Sequence, residues 1–520
     1  MSGAEQIRMQ VMWNRLIAVV EEQAQALLRT AFSTIVREAG DLSAGVFDLE
    51  GRMLAQAVTG TPGHVNSMAE SVRHFIERFP PETMREGDHY ITNDPWRGTG
   101  HLNDFVVTSP AFHNGKLVGL FSCTSHLIDI GGIGFGPDGT DVFAEGLSIP
   151  FLKISDAGTI NETLMAMIRA NTRLPVETEG DVYSLIGCNE IGAARLSTMM
   201  GEYGLTSLDE LGEHICSASR EAALKAVRAL PKGTTTNTMT IDGLDEPIDL
   251  VASLTVADDG IHINYDGTSP VVRKGINVPL SYTRAYTAFG LACALAKGIP
   301  NNAGSLSVWH IDAPEGCILN APRGAAVSSR HIIGQMLPDV VFGCLEPLVP
   351  EVIPAEGTSC LWNITLRGRA KADNLGRYGF AVTITTNGGT GARPFADGLS
   401  ATAFPSGVKG SPVEIMEQAA PIVFWRKDLR EGSGGVGRHR GGDGQVIEIE
   451  NRGGEAMDIL AAFDRMRFAP RGRDGGADGA AGTLTLSSGK ALKGKGTQEI
   501  PGGERLIVQT PGGGGFGTEE

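Results

Sequence analysis

His101, Asp104 and His126 are two imidazoles and a carboxylate within residues 93–126, NDPWRGTGHLNDFVVTSPAFHNGKLVGLFSCTSH. Side chains of these types hold divalent metal ions, and three protein ligands with coordination positions left open is the arrangement of a catalytic site. As a spacing the set is sparse; the elements around it make it specific. Residues 102–109 and 117–126 read as strands rich in Val, Leu and Phe, with His113-Asn114-Gly115-Lys116 between them. Asn-Gly flanked by two such runs is the strongest short-range hairpin signal. A turn centred there sets His126 opposite residue 103, between His101 and Asp104, so the three side chains converge at the open end of one hairpin.

Other polar groups are weighed the same way. Residues 5–37 read as one helix, with Val11, Met12, Leu16, Val20, Leu27 and Ala31 near the 3.6-residue period and a glycine cap at Gly40. Asp41 follows directly. A carboxylate at that end of a helix opposes the helix dipole and calls for a positive partner, a metal ion or an arginine. His64, His74, His113 and His439 have no comparable partners and default to surface or core roles, although His64 opens a helix within GHVNSM, where a capping or binding role stays open. The loop GGIGFG (131–136) follows a strand, but no helix starts after it, and GGGGFG (512–517) runs to the last residues. Neither has the Gly-Lys-Ser/Thr of a phosphate-binding loop, so no standard ATP site is expected. Backbone N–H groups of 131–136 are candidates for an oxyanion site, and Asp138, Asp141 and Glu145 are unranked candidate general bases. The stretch 434–442 (GGVGRHRGG) suits an anion or acidic partner as well as a solvated turn. No GxSxG elbow occurs, and Cys123 and Cys188 lack an activating base, which leaves them as buried thiols.

The frame around these groups is a chain of 520 residues with net charge −16, long enough for about three domains on a prior of about 150 residues each. Dense Lys/Arg runs are absent, which argues against nucleic acid or a membrane surface as partner. The sequence shows neither an apolar run of membrane-spanning length nor the layout of a signal peptide. Seven dispersed cysteines read as the reduced thiols of a cytoplasmic protein. Helices are expected at 65–79, 161–173 (Asn161 capping), 181–203, 208–230, 282–297 and 328–348. Strands are expected at 43–48 and 53–57, in a meander over 234–265, and in a hairpin of 361–368 with 379–386. From about residue 411 the chain is Gly-rich and strand-like; glycine totals 70 residues. The expected class is α+β: mixed antiparallel sheets with long helices in several lobes. Its parts are an N-terminal α/β metal-site domain (1–230), a central α+β domain (231–410) and a Gly-rich β region (411–520).

Taken together, GDLSAGVFD (40–48), GHVNSM (63–68), ITNDPWRGTGHLNDF (91–105), SHLIDIGG (125–132), EGLSIP (145–150), NTRLP (171–175), GINVPL (275–280), GGTGARPFADG (388–398), GSGGVGRHRGG (432–442) and TPGGGGFG (510–517) resemble the hydantoinase B/oxoprolinase family nearly end to end. These are the B-type subunits of ATP-dependent N-methylhydantoinase, 5-oxoprolinase and lactamase systems, related to subunits of acetone and acetophenone carboxylases. LREGSGG departs from the Asp-Ser pair that often precedes these glycines, and the chain is short for the family.

The resemblance implies a divalent metal, manganese, iron or zinc, held by Asp41, His101, Asp104 and His126, with ATP and Mg on a larger A-type partner in a hetero-oligomer. It implies hydrolysis of a small cyclic amide (hydantoin, oxoproline or lactam) activated by that partner. The alternative it carries is a component of an ATP-dependent ketone carboxylase. A third class, a structural component whose metal only holds the hairpin, fits a set of two Asp and two His without Cys less well.

Overall fold

The apolar repeat near the N-terminus forms the helix Gly3–Thr30, opened by a capping box of Ser2 with Glu5 and burying Met12, Leu16, Val20 and Leu27. This is a computed structural model, and it describes residues 2–58, 60–369 and 378–519. The helix does not run on to residue 37. The chain leaves it at Ala31, and the backbone N–H groups of Phe32 and Ser33 donate to the Asp181 carboxylate at 2.7 and 3.1 Å. That carboxylate replaces the helical acceptors, and a single turn, Thr34–Arg37, follows before Gly40 and Asp41.

The N-terminal sheet has seven antiparallel strands, in the order Met53–Gln56, Leu42–Phe47, Lys116–His126, Asp104–His113, His89–Thr92, Leu152–Asp156 and Thr159–Ile160. Its centre is the hairpin expected from the sequence. Asn114 and Gly115 adopt φ of 51° and 75°, the left-handed pair of a tight hairpin turn. A β-bulge between Ala111 and Phe112 then shifts the register by one residue, so His126 lies opposite Asp104 rather than residue 103. One face of the hairpin is covered by the helix Pro175–Tyr203, which also packs on Gly3–Thr30. Near the sheet's other face, the helix Pro62–Arg78 packs against Leu280–Leu295.

Three four-stranded sheets follow. The expected meander is present as Gly233–Ile241, Ile248–Val256 and Ile261–Asn264, and a strand not expected from the sequence, Trp309–Asp312, adds to it in parallel. The second is Tyr378–Ile384, Ile364–Arg369, Met457–Ala462 and Lys495–Ile500; the third is Ile422–Arg430, Gly444–Asn451, Arg505–Gln509 and Thr483–Leu486. The class is thus α+β with mainly antiparallel sheets. Two expectations differ locally. The helix expected over 328–348 is split into His331–Gly334 and Leu337–Leu345, and a short helix, Val413–Ala419, interrupts the strand-like C-terminal stretch.

The abundance of glycine has a packing cause. Loops 388–398, 432–442, 472–479 and 510–517 lie backbone against backbone. A side chain at Gly389 would overlap the Gly442 carbonyl, and one at Gly513 would overlap the Thr390 carbonyl. Hydrogen bonds from Gly513 N to Gly442 O (2.9 Å) and Gly435 N to Gly513 O (2.8 Å) tie the layers. The seven cysteines are all free thiols, six of them buried. Among the described residues no helix is long and apolar enough to cross a membrane.

Candidate metal centre

Asp104 is the hub of the site. It opens its strand facing His126 across the hairpin, and a turn of three residues brings His101 back over it. The ligand atoms of His101, Asp104 and His126 lie within 4.8 Å of one another, and all three side chains are buried. Oδ1 of Asp104 is 2.6 Å from His101 Nε2 and 3.3 Å from His126 Nδ1. Its other oxygen, Oδ2, is 2.9 Å from His64 Nε2 and accepts from Arg330 Nη2 at 2.6 Å.

The two oxygens therefore face different chemistry. On the Oδ2 side stand donors. Arg330 is a permanent cation, anchored by Nε to the Thr99 carbonyl at 2.8 Å and lying 4.0 Å over the Tyr282 ring. Burial opposes charge on His64, but the Asp104 and Asp41 carboxylates outweigh it and raise its pKa above the ordinary imidazole value. On the Oδ1 side the situation is reversed. His101 Nδ1 lies 2.8 Å from the Ser328 carbonyl, which can only accept, so Nδ1 carries the proton. Burial, with Arg330 adding to it, pushes the His101 pKa down to about 3, so the ring is neutral at pH 7. Its Nε2 lone pair then points at an ionised carboxylate oxygen 2.6 Å away. Burial alone would protonate Asp104, yet His101, His64 and Arg330 hold its carboxyl well below the usual range. Two acceptors aimed at each other in a dry interior need a cation between them. A neutral imidazole fixed by a hydrogen bond from its other nitrogen to a backbone carbonyl is also how metal-bound histidines are held.

Asp41 sits at the edge of this group, outside the set of three. Its Oδ1 accepts from the Thr61 hydroxyl at 3.0 Å and is 3.5 Å from His64 Nδ1, so it reaches Asp104 through His64. Its expected positive partner is thus an imidazole. His64, Arg330 and His331 were not singled out as site residues from the sequence. The GHVNSM stretch carried a weak signal for His64, because a histidine in the first turn of a helix packed near a sheet can face inward. Arg330 and His331 are brought in from more than 200 positions along the chain, and no local pattern marks them.

The glycine loop 131–136 has a different role from the expected one. Gly131 N donates to Asp129 and Ile133 N to the Ala144 carbonyl, each at 3.0 Å, so neither N–H is available as an oxyanion donor. The loop instead delivers Phe135, whose ring lies 4.7 Å from the His126 ring, 5.8 Å from that of His101 and 5.5 Å from that of His331. Behind it, buried His331 has both ring nitrogens without a hydrogen-bond partner among the described residues.

The three acidic candidates are all engaged elsewhere. Asp138 binds Thr497, Asp141 caps the short helix Val142–Glu145, and Glu145 Oε1 accepts from the backbone of Val327 and Ser328 at 2.7 and 2.8 Å. Burial raises the Glu145 carboxyl to about 8. It acts on His101 only indirectly, through the segment whose Ser328 carbonyl holds the ring.

Comparison with known proteins places this geometry in context. The model of the hydantoinase B/oxoprolinase family matches residues 5–519. A 5-oxoprolinase of Arabidopsis thaliana is 30% identical over 99% of this chain, and the chain spans 42% of that protein's length. A putative B-type subunit of a D-/L-hydantoinase from a Pseudomonas species is 28% identical, with 98% of this chain and 90% of the relative covered. The ATP-dependent caprolactamase of Pseudomonas jessenii superposes with a TM-score of 0.88 at 25% identity, over 99% of this chain and 91% of that one. Acetone carboxylase shares the fold, with a TM-score of 0.83 at 18% identity over 99% of this chain and 76% of that one.

Proposed function

The chain belongs to the hydantoinase B/oxoprolinase family, and on that premise we propose that it is the metal-containing B-type subunit of an ATP-dependent cyclic-amide hydrolase. It opens a hydantoin, oxoproline or lactam ring after an A-type partner, carrying ATP and Mg, has activated the substrate. The observation behind this reading is the Oδ1 side of Asp104, where a neutral imidazole and a carboxylate present lone pairs to the same point. A divalent ion there, manganese, iron or zinc, held by His101, Asp104 and His126 with Asp41 at the edge, would supply Lewis-acid polarisation and a water of lowered pKa.

The chain's own residues do the rest. The Ser328 carbonyl fixes the His101 tautomer, and Glu145 fixes Ser328. Arg330 and His64 keep Asp104 ionised, so it never competes for a proton with a reacting group. Phe135 keeps bulk water from the imidazoles. His331 offers an unpaired ring nitrogen to an entering polar substrate. A planar, unstrained amide is a poor electrophile, which is the chemical reason for ATP-driven activation. The sequence holds no phosphate-binding loop motif, and it spans nearly the length of the B-type hydantoinase relative; both support a separate partner that holds ATP. Dispersed free thiols favour the cytoplasm.

The test is elemental analysis of the purified chain and of Asp104→Asn, each with circular dichroism, followed by ATP-dependent turnover with the A-type partner on hydantoins, 5-oxoproline and lactams. The expected result is one metal ion in the wild type at this centre, its loss in a folded variant, and ring opening only with the partner present. ATP-driven turnover by the chain alone would refute the division of labour. Incorporation of labelled bicarbonate into product would transfer the assignment to the carboxylase alternative.

A further inference from the structure

Asp259, His262 and His310 form a second group of two imidazoles and one carboxylate, on a different sheet from the first. We propose that they bind a second divalent transition-metal ion of borderline character, zinc being the type, at the rim of a cleft of about 610 Å3.

The sheet builds this arrangement. His262 and His310 are direct partners in the parallel pairing of Ile261–Asn264 with Trp309–Asp312, so both side chains leave the same face. Their rings stack with centroids 4.4 Å apart and planes 25° from parallel. Asp259 precedes the first of these strands in a tight bend at Gly260, whose φ of 154° and contact with the Val308 carbonyl leave no room for a side chain. The bend returns the carboxylate over both rings. Asp259 Oδ1 is 2.9 Å from His262 Nε2, and Oδ2 is 3.7 Å from His310 Nε2. All three ligand atoms lie within 4.8 Å of one another.

One detail points to a ligand rather than to a chance cluster. The His310 side chain is 40% exposed, yet its Nε2 is shielded from solvent and has no hydrogen-bond partner among the described residues. The ring turns its carbon edge to water and its basic nitrogen inward, the opposite of what hydration favours. A shared cation satisfies that nitrogen, the His262 nitrogen and both carboxylate oxygens at once. The neighbouring cation does not fill this place, since Lys232 pairs with Asp258 instead. The His262 hydrogen bond holds the Asp259 carboxyl below the usual carboxylate range, so the carboxylate is ionised for binding. Two imidazole nitrogens and one carboxylate select zinc, cobalt, nickel or copper over magnesium and calcium, which prefer oxygen-only shells. All three side chains are exposed enough to adjust to ligand distances of about 2.0–2.2 Å, with water in the remaining positions. The rim position leaves Arg284, Asn264 and Trp309 of the cleft facing the same solvent-filled space.

The experiment is equilibrium dialysis of the full chain against zinc chloride, comparing the wild type with the double variant His262→Gln/His310→Gln. The wild type should bind one more zinc ion per chain than the double variant, whatever the occupancy of the Asp104 centre. Each single variant should weaken that ion about tenfold or more. A tenfold excess of magnesium should leave it bound. Equal zinc stoichiometry in wild type and double variant overturns the site, and displacement by magnesium overturns its assignment to a borderline metal. Because the readout is a difference of one ion at surface positions, it is independent of whether the Asp104 centre holds metal or catalyses ring opening.

Discussion

The same three side chains, two histidines and an aspartate, occur twice in this molecule in opposite surroundings. Around Asp104 their exposure is 0–5%; around Asp259 it is 40–60%. In the interior, neighbours decide everything: a carbonyl sets the His101 tautomer, an arginine and a third histidine hold the carboxylate ionised, and a phenylalanine covers the rings. At the rim, water does most of this work, and only the inward-turned His310 nitrogen departs from ordinary surface behaviour. The difference teaches that ligand types alone define affinity for a metal, whereas burial defines reactivity, because only in a desolvated site are protonation states held far from their solution values.

The largest expected contrast is in stability without metal. Asp104→Ala leaves Arg330 and His64 buried without their counter-charge and should cost about 3–5 kcal/mol. Asp259→Ala removes a solvated partner and should leave stability nearly unchanged. Urea unfolding of the metal-free proteins measures both. Similar losses would break the comparison, since burial would then contribute nothing.

Next in size is a pH effect specific to the interior. Glu145 has an ordinary carboxyl pKa of 4.5 and a folded value of about 8, raised by burial. Between these values the folded state binds a proton that the unfolded state has released, so stability must fall as pH rises from about 4.5 to about 8 and then level off. The loss should amount to a few kcal/mol. Glu145→Gln keeps an acceptor for the Val327 and Ser328 N–H groups and removes the titration. Thermal denaturation between pH 5 and 8 should therefore show a decline in the wild type that is flatter in the variant. Parallel profiles would mean that Glu145 is ionised throughout.

These two cases also mark what was legible in the sequence. The hairpin and its turn were readable because Asn114-Gly115 is a local signal, and Asn161 capping was readable for the same reason. The one-residue error opposite His126 came from the bulge at Ala111/Phe112, which has no glycine or other marker in the sequence. The helix break at Ala31 was hidden because its cause, Asp181, lies about 150 positions away. Arg330, His331 and the Ser328 carbonyl were invisible for that reason too: the hairpin supplies the ligands locally, and the fold supplies distantly the groups that tune them. Glycine was counted but misread in part, since turns account for some of it and backbone-on-backbone packing of the C-terminal loops for much of the rest.

A smaller effect is expected at His331. An imidazole buried with neither nitrogen paired is a cost to folding, and His331→Leu should leave stability unchanged or raise it by about 1 kcal/mol. If the ring meets substrate, the same variant should lower kcat/KM with the partner present while the metal content at the Asp104 centre stays constant. A destabilised variant with normal turnover would show that the ring is only packing against Phe135.

The smallest effect tests whether the buried site depends on the turn that made it predictable. Gly115 has φ of 75° and open space around it, so Gly115→Ala meets no clash and costs only the left-handed backbone, about 1 kcal/mol. The site should not notice. Strand Lys116–His126 is flanked by Leu42–Phe47, and strand Asp104–His113 by His89–Thr92, so the pairing of Asp104 with His126 is held from both sides even if the turn is strained. Metal content should match the wild type while the melting temperature drops by a few degrees. Loss of metal in Gly115→Ala would mean that the turn, and not the seven-stranded sheet, keeps the two ligands in register.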